Sequence, residues 1–125
     1  MIYGLGVDIV KVERIREAVK KQGERFLRKI FTGNEISRCY ENRDPFPSLS
    51  VRFAAKEALI KAVGSRISAF TDMEILNDPQ GRPFMRVSGV LEVFFRENSL
   101  GTPRVSLSHE KDYGIAFVVI EKKRE

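Results

Sequence analysis

Arg52-Phe53-Ala54-Ala55-Lys56-Glu57-Ala58-Leu59-Ile60-Lys61-Ala62 is the stretch on which the fold turns. Its apolar residues occupy most of a helical circumference, so a helix from about Ser48 to Val63, closed by Gly64, is expected in the interior. Ala54, Ala58 and Ala62 form a ridge of small residues that lets a neighbouring element approach closely. Four charges in such a helix need an explanation. Glu57 and Lys61 stand one turn apart in the acid-before-base order, which an ordinary surface pair would explain. Burying them costs several kcal/mol each without compensation, which a metal beside Glu57 and a phosphate beside Lys61 would supply. Helix pattern leaves both readings open.

Upstream, Met1 to Val10 alternates as a strand, with Tyr3, Leu5, Val7 and Ile9 on one face and Gly4, Gly6 and Asp8 on the other. The glycines leave space in which another backbone or a ligand can approach Asp8. A strand-end Asp also serves as a turn former or helix cap. Downstream, Arg104–Ser108 reads as a strand with Val105 and Leu107 inward, and the only histidine, His109, follows at its end. No glycine-flanked serine elbow accompanies it, so a serine hydrolase is discounted. Hydroxyls, an imidazole and an arginine suit a phosphate better than an ester carbonyl.

The remaining elements follow from local signals. Thr32-Gly33-Asn34-Glu35 has capping-box spacing and starts a short helix through Tyr40, ended by Asp44-Pro45-Phe46-Pro47. Asp72–Asn77 and Pro83–Val87 are strands joined by Asp78-Pro79-Gln80-Gly81-Arg82. Val90, Leu91, Phe94 and Phe95 mark a helix with Ser88 as N-cap, and Ile115–Ile120 is the last strand. With no repeat and no long linker, residues 1–125 are expected to form one α+β domain, an antiparallel sheet packed with helices.

Composition bounds the function. In 125 residues, 42% hydrophobic and 10% aromatic content argue against disorder, and no apolar run is long enough to span a membrane. No secretory pattern opens Met1-Ile2-Tyr3-Gly4, so a cytoplasmic protein is expected. The single Cys39 excludes an intrachain disulfide and a multi-cysteine metal site, leaving oxygen ligands for any metal. The formal charge is +5, and residues 11–30 hold all of it, with eight basic against three acidic residues. Val12, Ile15, Val19, Phe26 and Ile30 set a buried face there. Arg14, Lys21, Arg25 and Arg28 share one stripe if the helix is uninterrupted, and Gly23 is the position at which it would divide into two pieces. A solvated basic face and a docking surface for an acidic partner both fit.

Taken together, Gly6-Val7-Asp8-Ile9, Phe53-Ala54-Ala55-Lys56-Glu57-Ala58 with Lys61, and Ser106-Leu107-Ser108-His109 resemble the holo-acyl-carrier-protein synthase family of 4'-phosphopantetheinyl transferases. Order and spacing fit over essentially the whole chain, and Arg14, Arg52, Gly81-Arg82-Pro83 and Tyr113 match further family positions. Gly114 departs, standing where alanine is common.

The resemblance implies transfer of the phosphopantetheine arm of coenzyme A to a serine of apo acyl carrier protein, in fatty acid biosynthesis. It implies Mg2+ held by Asp8 and Glu57, a phosphate oxygen neutralised by Lys61, and further coenzyme A contacts from Arg52 and His109. Glu57, or a metal-bound water held by Asp8, would take the serine proton. The basic segment becomes a carrier-docking surface of Arg14, Lys21, Arg25 and Arg28, with Phe26 an apolar neighbour, and a homotrimer with interfacial sites is expected. Two rivals remain at this level. A nucleic-acid-binding module fits the basic stripe but lacks aromatic-interleaved basic strands, a zinc framework or a helix-turn-helix pair. A coenzyme A binding protein without transfer activity is the second.

Overall fold

In the computed structural model, which describes residues 1–124, the chain runs β1 (Ile2–Lys11), α1 (Val12–Gln22), α2 (Glu24–Ile30), α3 (Gly33–Cys39) and α4 (Phe46–Val63). It continues through β2 (Met73–Asn77), β3 (Pro83–Val87), α5 (Gly89–Glu97), β4 (Arg104–His109) and β5 (Tyr113–Glu121). Strands β1, β5 and β4 form an antiparallel sheet in that order, and β2 pairs with β3 in a separate hairpin. Every expected element is present, within a few residues of its expected ends.

The long helix is the interior axis. Leu49, Ala54, Ala55, Ala58 and Leu59 are fully buried, and α4 packs on both β1 and β5. The alanine ridge meets the glycines of β1. A Cβ on Gly4 would overlap the Ala62 carbonyl oxygen, and one on Gly6 the Ala58 carbonyl oxygen. The open space expected beside Asp8 is therefore filled by helix backbone along most of that face. Gly114 of β5 obeys the same constraint, because a Cβ there would sit 3.0 Å from both Cγ1 and the backbone nitrogen of Val51.

Close backbone contact on the glycine face turns the apolar face of β1 outward. Leu5, Val7 and Ile9 are 54%, 54% and 58% exposed. In register beside them, Val7 pairs with Phe117 and Ile9 with Ile115, and both β5 side chains are exposed too. The sheet thus carries an uncovered apolar surface on the side away from α4, of the kind that marks an interaction site.

The basic segment breaks at Gly23, whose φ of +59° admits no continuous helix. Val12 and Ile15 bury one face of α1, while Leu27 and Ile30 bury that of α2. Of the two forms left open for this segment, the structure has the divided one, with the cations on two separate helices.

Thr32 and Glu35 form the expected capping box at α3. Glu35 does more than cap, since it is fully buried and accepts from Lys56 Nζ at 2.7 Å and from the Ile75 backbone N–H at 2.8 Å. Lys56 Nζ also donates to the Ile30 carbonyl at 2.7 Å. Burial pushes the Lys56 pKa down against the opposing pull of the Glu35 carboxylate. Glu74 of β2 completes this corner, accepting from Thr32 Oγ1 at 2.6 Å and from Arg86 at 2.8 Å.

Candidate active site

Asp8 lies near the end of β1, on the same face as the two glycines, and Lys61 reaches it from α4. The ammonium donates to Asp8 Oδ1 at 3.1 Å and to the Val7 carbonyl at 2.9 Å. Gly4 and Gly6 make this contact possible, because they bring strand and helix to backbone distance. Glu57 stands one turn before Lys61 but does not pair with it. Its Oε1 accepts from Arg66 Nη2 at 3.3 Å. The ordinary Glu57–Lys61 surface pair is corrected accordingly, since each side chain has another partner. Lys61 is exposed, Glu57 is partly buried, and the buried ammonium of α4 is Lys56.

An aromatic pair links this strip to the first helix. Phe53, one turn before Glu57, stacks on Phe70 with ring centroids 5.8 Å apart. The Arg14 guanidinium lies 5.9 Å from the Phe53 centroid, and that of Arg66 lies 4.5 Å from the Phe70 centroid. Arg66 and Phe70 carry no sequence signal of their place here. Both lie in the irregular segment after Gly64, where no periodicity marks a residue as facing the helix.

Arg52 and His109 meet elsewhere. They line a cleft of about 450 Å³ with Arg38, Ser48, Asn77 and Pro83. Arg52 is buried, and most of its N–H groups are used inside the fold. Nε donates to the Ile75 carbonyl, Nη1 to the Ser48 carbonyl and hydroxyl, and Nη2 to Asn77 Oδ1. A guanidinium has five N–H groups, so one on Nη2 makes none of these bonds. Asn77 Nδ2 in turn donates to the Gly81 carbonyl, tying the Gly81-Arg82-Pro83 turn to this cleft. His109 is exposed at the end of β4. None of Asp8, Glu57 and Lys61 lines the cleft, and Glu57 is five residues from Arg52, roughly 140° around the helix. One chain therefore presents two separate groups of expected site residues.

Arg14, Lys21, Arg25 and Arg28 are all exposed, though Arg28 is paired with Glu24 at 2.8 Å. Phe26 is half-buried, edge-on to Phe31, so it belongs partly to the core. No helix among the described residues is long and apolar enough to cross a membrane.

The architecture defines the class first: an α+β domain in which one helix lies on a three-stranded antiparallel sheet through a glycine–alanine contact. The pattern of the 4'-phosphopantetheinyl transferase superfamily matches residues 4–118. A holo-[acyl-carrier-protein] synthase of Halothermothrix orenii is 40% identical, with 98% of this chain and 99% of that protein aligned. Among solved structures, the holo-[acyl-carrier-protein] synthase of Neisseria meningitidis superposes with a TM-score of 0.90 at 38% identity, covering 98% of this chain and 100% of that one. The Helicobacter pylori synthase, solved in complex with coenzyme A, gives 0.82 at 30% identity, covering 94% and 99%. The chain belongs to the 4'-phosphopantetheinyl transferase superfamily, within its holo-acyl-carrier-protein synthase family.

Proposed function

We propose that this enzyme transfers the 4'-phosphopantetheine arm of coenzyme A to a serine of apo acyl carrier protein, releasing adenosine 3',5'-bisphosphate, and that Asp8, Glu57 and Lys61 form the reacting end of its site. The observation that carries the site assignment is the meeting of β1 and α4, where Lys61 Nζ lies 3.1 Å from Asp8 Oδ1, one helical turn beyond Glu57. Family membership favours transfer over both the nucleic-acid-binding and the non-catalytic readings. The same reading gives the enzyme a role in fatty acid biosynthesis and a place in the cytoplasm with its substrates.

Two partly buried carboxylates, with oxygen donors only, suit Mg2+, which typically takes one or two carboxylates and fills its shell with water and phosphate oxygens. Among the described residues no three His, Cys, Asp or Glu side chains come together, so Asp8 and Glu57 would be the protein's share of that shell. When bound, Mg2+ neutralises charge on the phosphate oxygens. Lys61, on a long exposed stem, moves from Asp8 to a phosphate oxygen of the diphosphate. Glu57 accepts the proton of the serine hydroxyl as its oxygen attacks the phosphorus bearing the pantetheine arm. The bond from that phosphorus to the bridging oxygen breaks, and the adenosine bisphosphate leaves with it.

His109 and the remaining Arg52 N–H bind other phosphates of coenzyme A in the cleft. The acidic carrier docks on Arg14, Lys21, Arg25 and Arg28, beside Phe26. Because the acid strip and the cleft face different sides of α4, a complete site joins the strip of one subunit to the cleft of the next in a homotrimer. The glycine face of β1 cannot serve this contact, since α4 fills it. The exposed Leu5, Val7, Ile9, Ile115 and Phe117 surface supports it instead.

Glu57→Gln keeps shape and removes charge. Under saturating Mg2+ its transfer rate should fall at least about a hundredfold, the usual loss for a general base. Co-assembled in equal amounts with His109→Ala, it should regain activity, because about a quarter of the sites formed by random association pair two intact halves. A near-normal rate for Glu57→Gln alone contradicts the site; co-assembly without recovery contradicts its sharing between subunits.

A further inference from the structure

Each acid of the strip has its own cation. Lys61 covers Asp8, and Arg66 covers Glu57 at 3.3 Å. Arg66 is brought there by the chain reversal at Gly64, whose φ is +102°. Its guanidinium rests on the Phe70 ring at 4.5 Å, and Phe70 is stacked on Phe53 of α4. One side of the guanidinium is thus fixed by an aromatic pair anchored to the helix, while the other is held by a carboxylate alone. The Arg66 side chain is 51% exposed, so it can leave Glu57 without opening the core.

The charges at this strip cancel, two carboxylates against two cations. A dication held by the carboxylates has to displace cationic partners, and the strip then carries a net charge of +2. That charge complements a diphosphate. The cations set free are already within reach of any phosphate that joins the same dication.

We propose that Arg66 is a displaceable counter-ion. It occupies Glu57 in the metal-free protein, yields that carboxylate to a divalent cation, and, still seated on Phe70, donates to a diphosphate oxygen of coenzyme A. The inference rests on the reading of Glu57 as a metal ligand. It makes metal and coenzyme A binding mutually reinforcing, since any factor by which one raises the affinity of the other is reciprocal. It also gives the Phe53–Phe70 pair a function beyond packing, as the platform that keeps the freed guanidinium beside the diphosphate.

The test uses Mn2+ as the probe, its free fraction read by electron paramagnetic resonance in the absence of coenzyme A, for the wild type and for Arg66→Gln, Arg66→Lys and Glu57→Gln. Arg66→Gln should bind Mn2+ about two- to fivefold more tightly, the effect of removing one competing exposed ion pair. At saturating Mn2+ it should bind coenzyme A more weakly, and Arg66→Lys should move both affinities back toward the wild type. A structural cap on the loop after α4 would instead lower thermal stability and leave Mn2+ affinity unchanged. Unchanged or weaker Mn2+ binding in Arg66→Gln, with Glu57→Gln impaired, overturns the counter-ion role and spares the site. Tighter Mn2+ binding with unchanged coenzyme A affinity overturns the phosphate contact. Undiminished Mn2+ binding by Glu57→Gln overturns the metal-ligand reading, and the inference with it.

Discussion

Lys56 and Lys61 occupy one helix, five residues apart, and their environments are opposite. Lys56 Nζ is sealed between Glu35 and the Ile30 carbonyl, so its partners compensate its desolvation and join α2, α3 and α4 at one corner. Removing one partner leaves the other buried and unpaired. Lys56→Met should therefore cost about 3–5 kcal/mol of unfolding free energy in urea titration, and adding Glu35→Gln should recover part of that loss. A Lys56→Met protein as stable as the wild type would show that the pair does not hold the corner together. The sequence displayed four charges in an apolar helix, but a helix apolar on nearly all sides has no phase from which to read which charge is buried. Glu35 was visible as a capping residue; its second role depends on Lys56 and Ile75, both remote in sequence.

At the scale of elements, the decisive contact is between β1 and α4. Two glycines on the strand and alanines on the helix announced a close approach, and the structure realises it. Direction was harder to read. Alternation in β1 marks Tyr3, Leu5, Val7 and Ile9 as one face, and ordinary patterning would bury it, yet the residues without side chains face the helix. The break at Gly23 separates α1 from α2, which puts Arg14, beside Phe53, on a different helix from Arg25 and Arg28. Charge reversal at Arg14 and Arg28 should raise the carrier KM about tenfold or more and flatten its dependence on salt, leaving the coenzyme A KM nearly unchanged. Steady-state kinetics across an ionic-strength series checks this. Unchanged carrier kinetics would remove the docking role from these helices.

At the scale of the molecule, the chain is an electrically balanced body with its surplus charge confined to residues 11–30, from the end of β1 through α2, and an apolar surface left on its sheet. Neither the surface nor the full separation of Asp8, Glu57 and Lys61 from Arg52 and His109 could be read from spacing, because the first depends on which face of β1 meets α4 and the second on where β1 and β4 pack around that helix. Both features are the basis of the proposal that a second subunit completes the site and that the basic helices receive an acidic protein substrate. The most direct measurement is the intact mass of apo acyl carrier protein after incubation with the enzyme, coenzyme A and Mg2+. Transfer should add roughly 340 Da, one phosphopantetheine arm on a serine oxygen, with Glu57→Gln lagging far behind the wild type. A carrier of unchanged mass, under conditions where the enzyme binds coenzyme A, would contradict it.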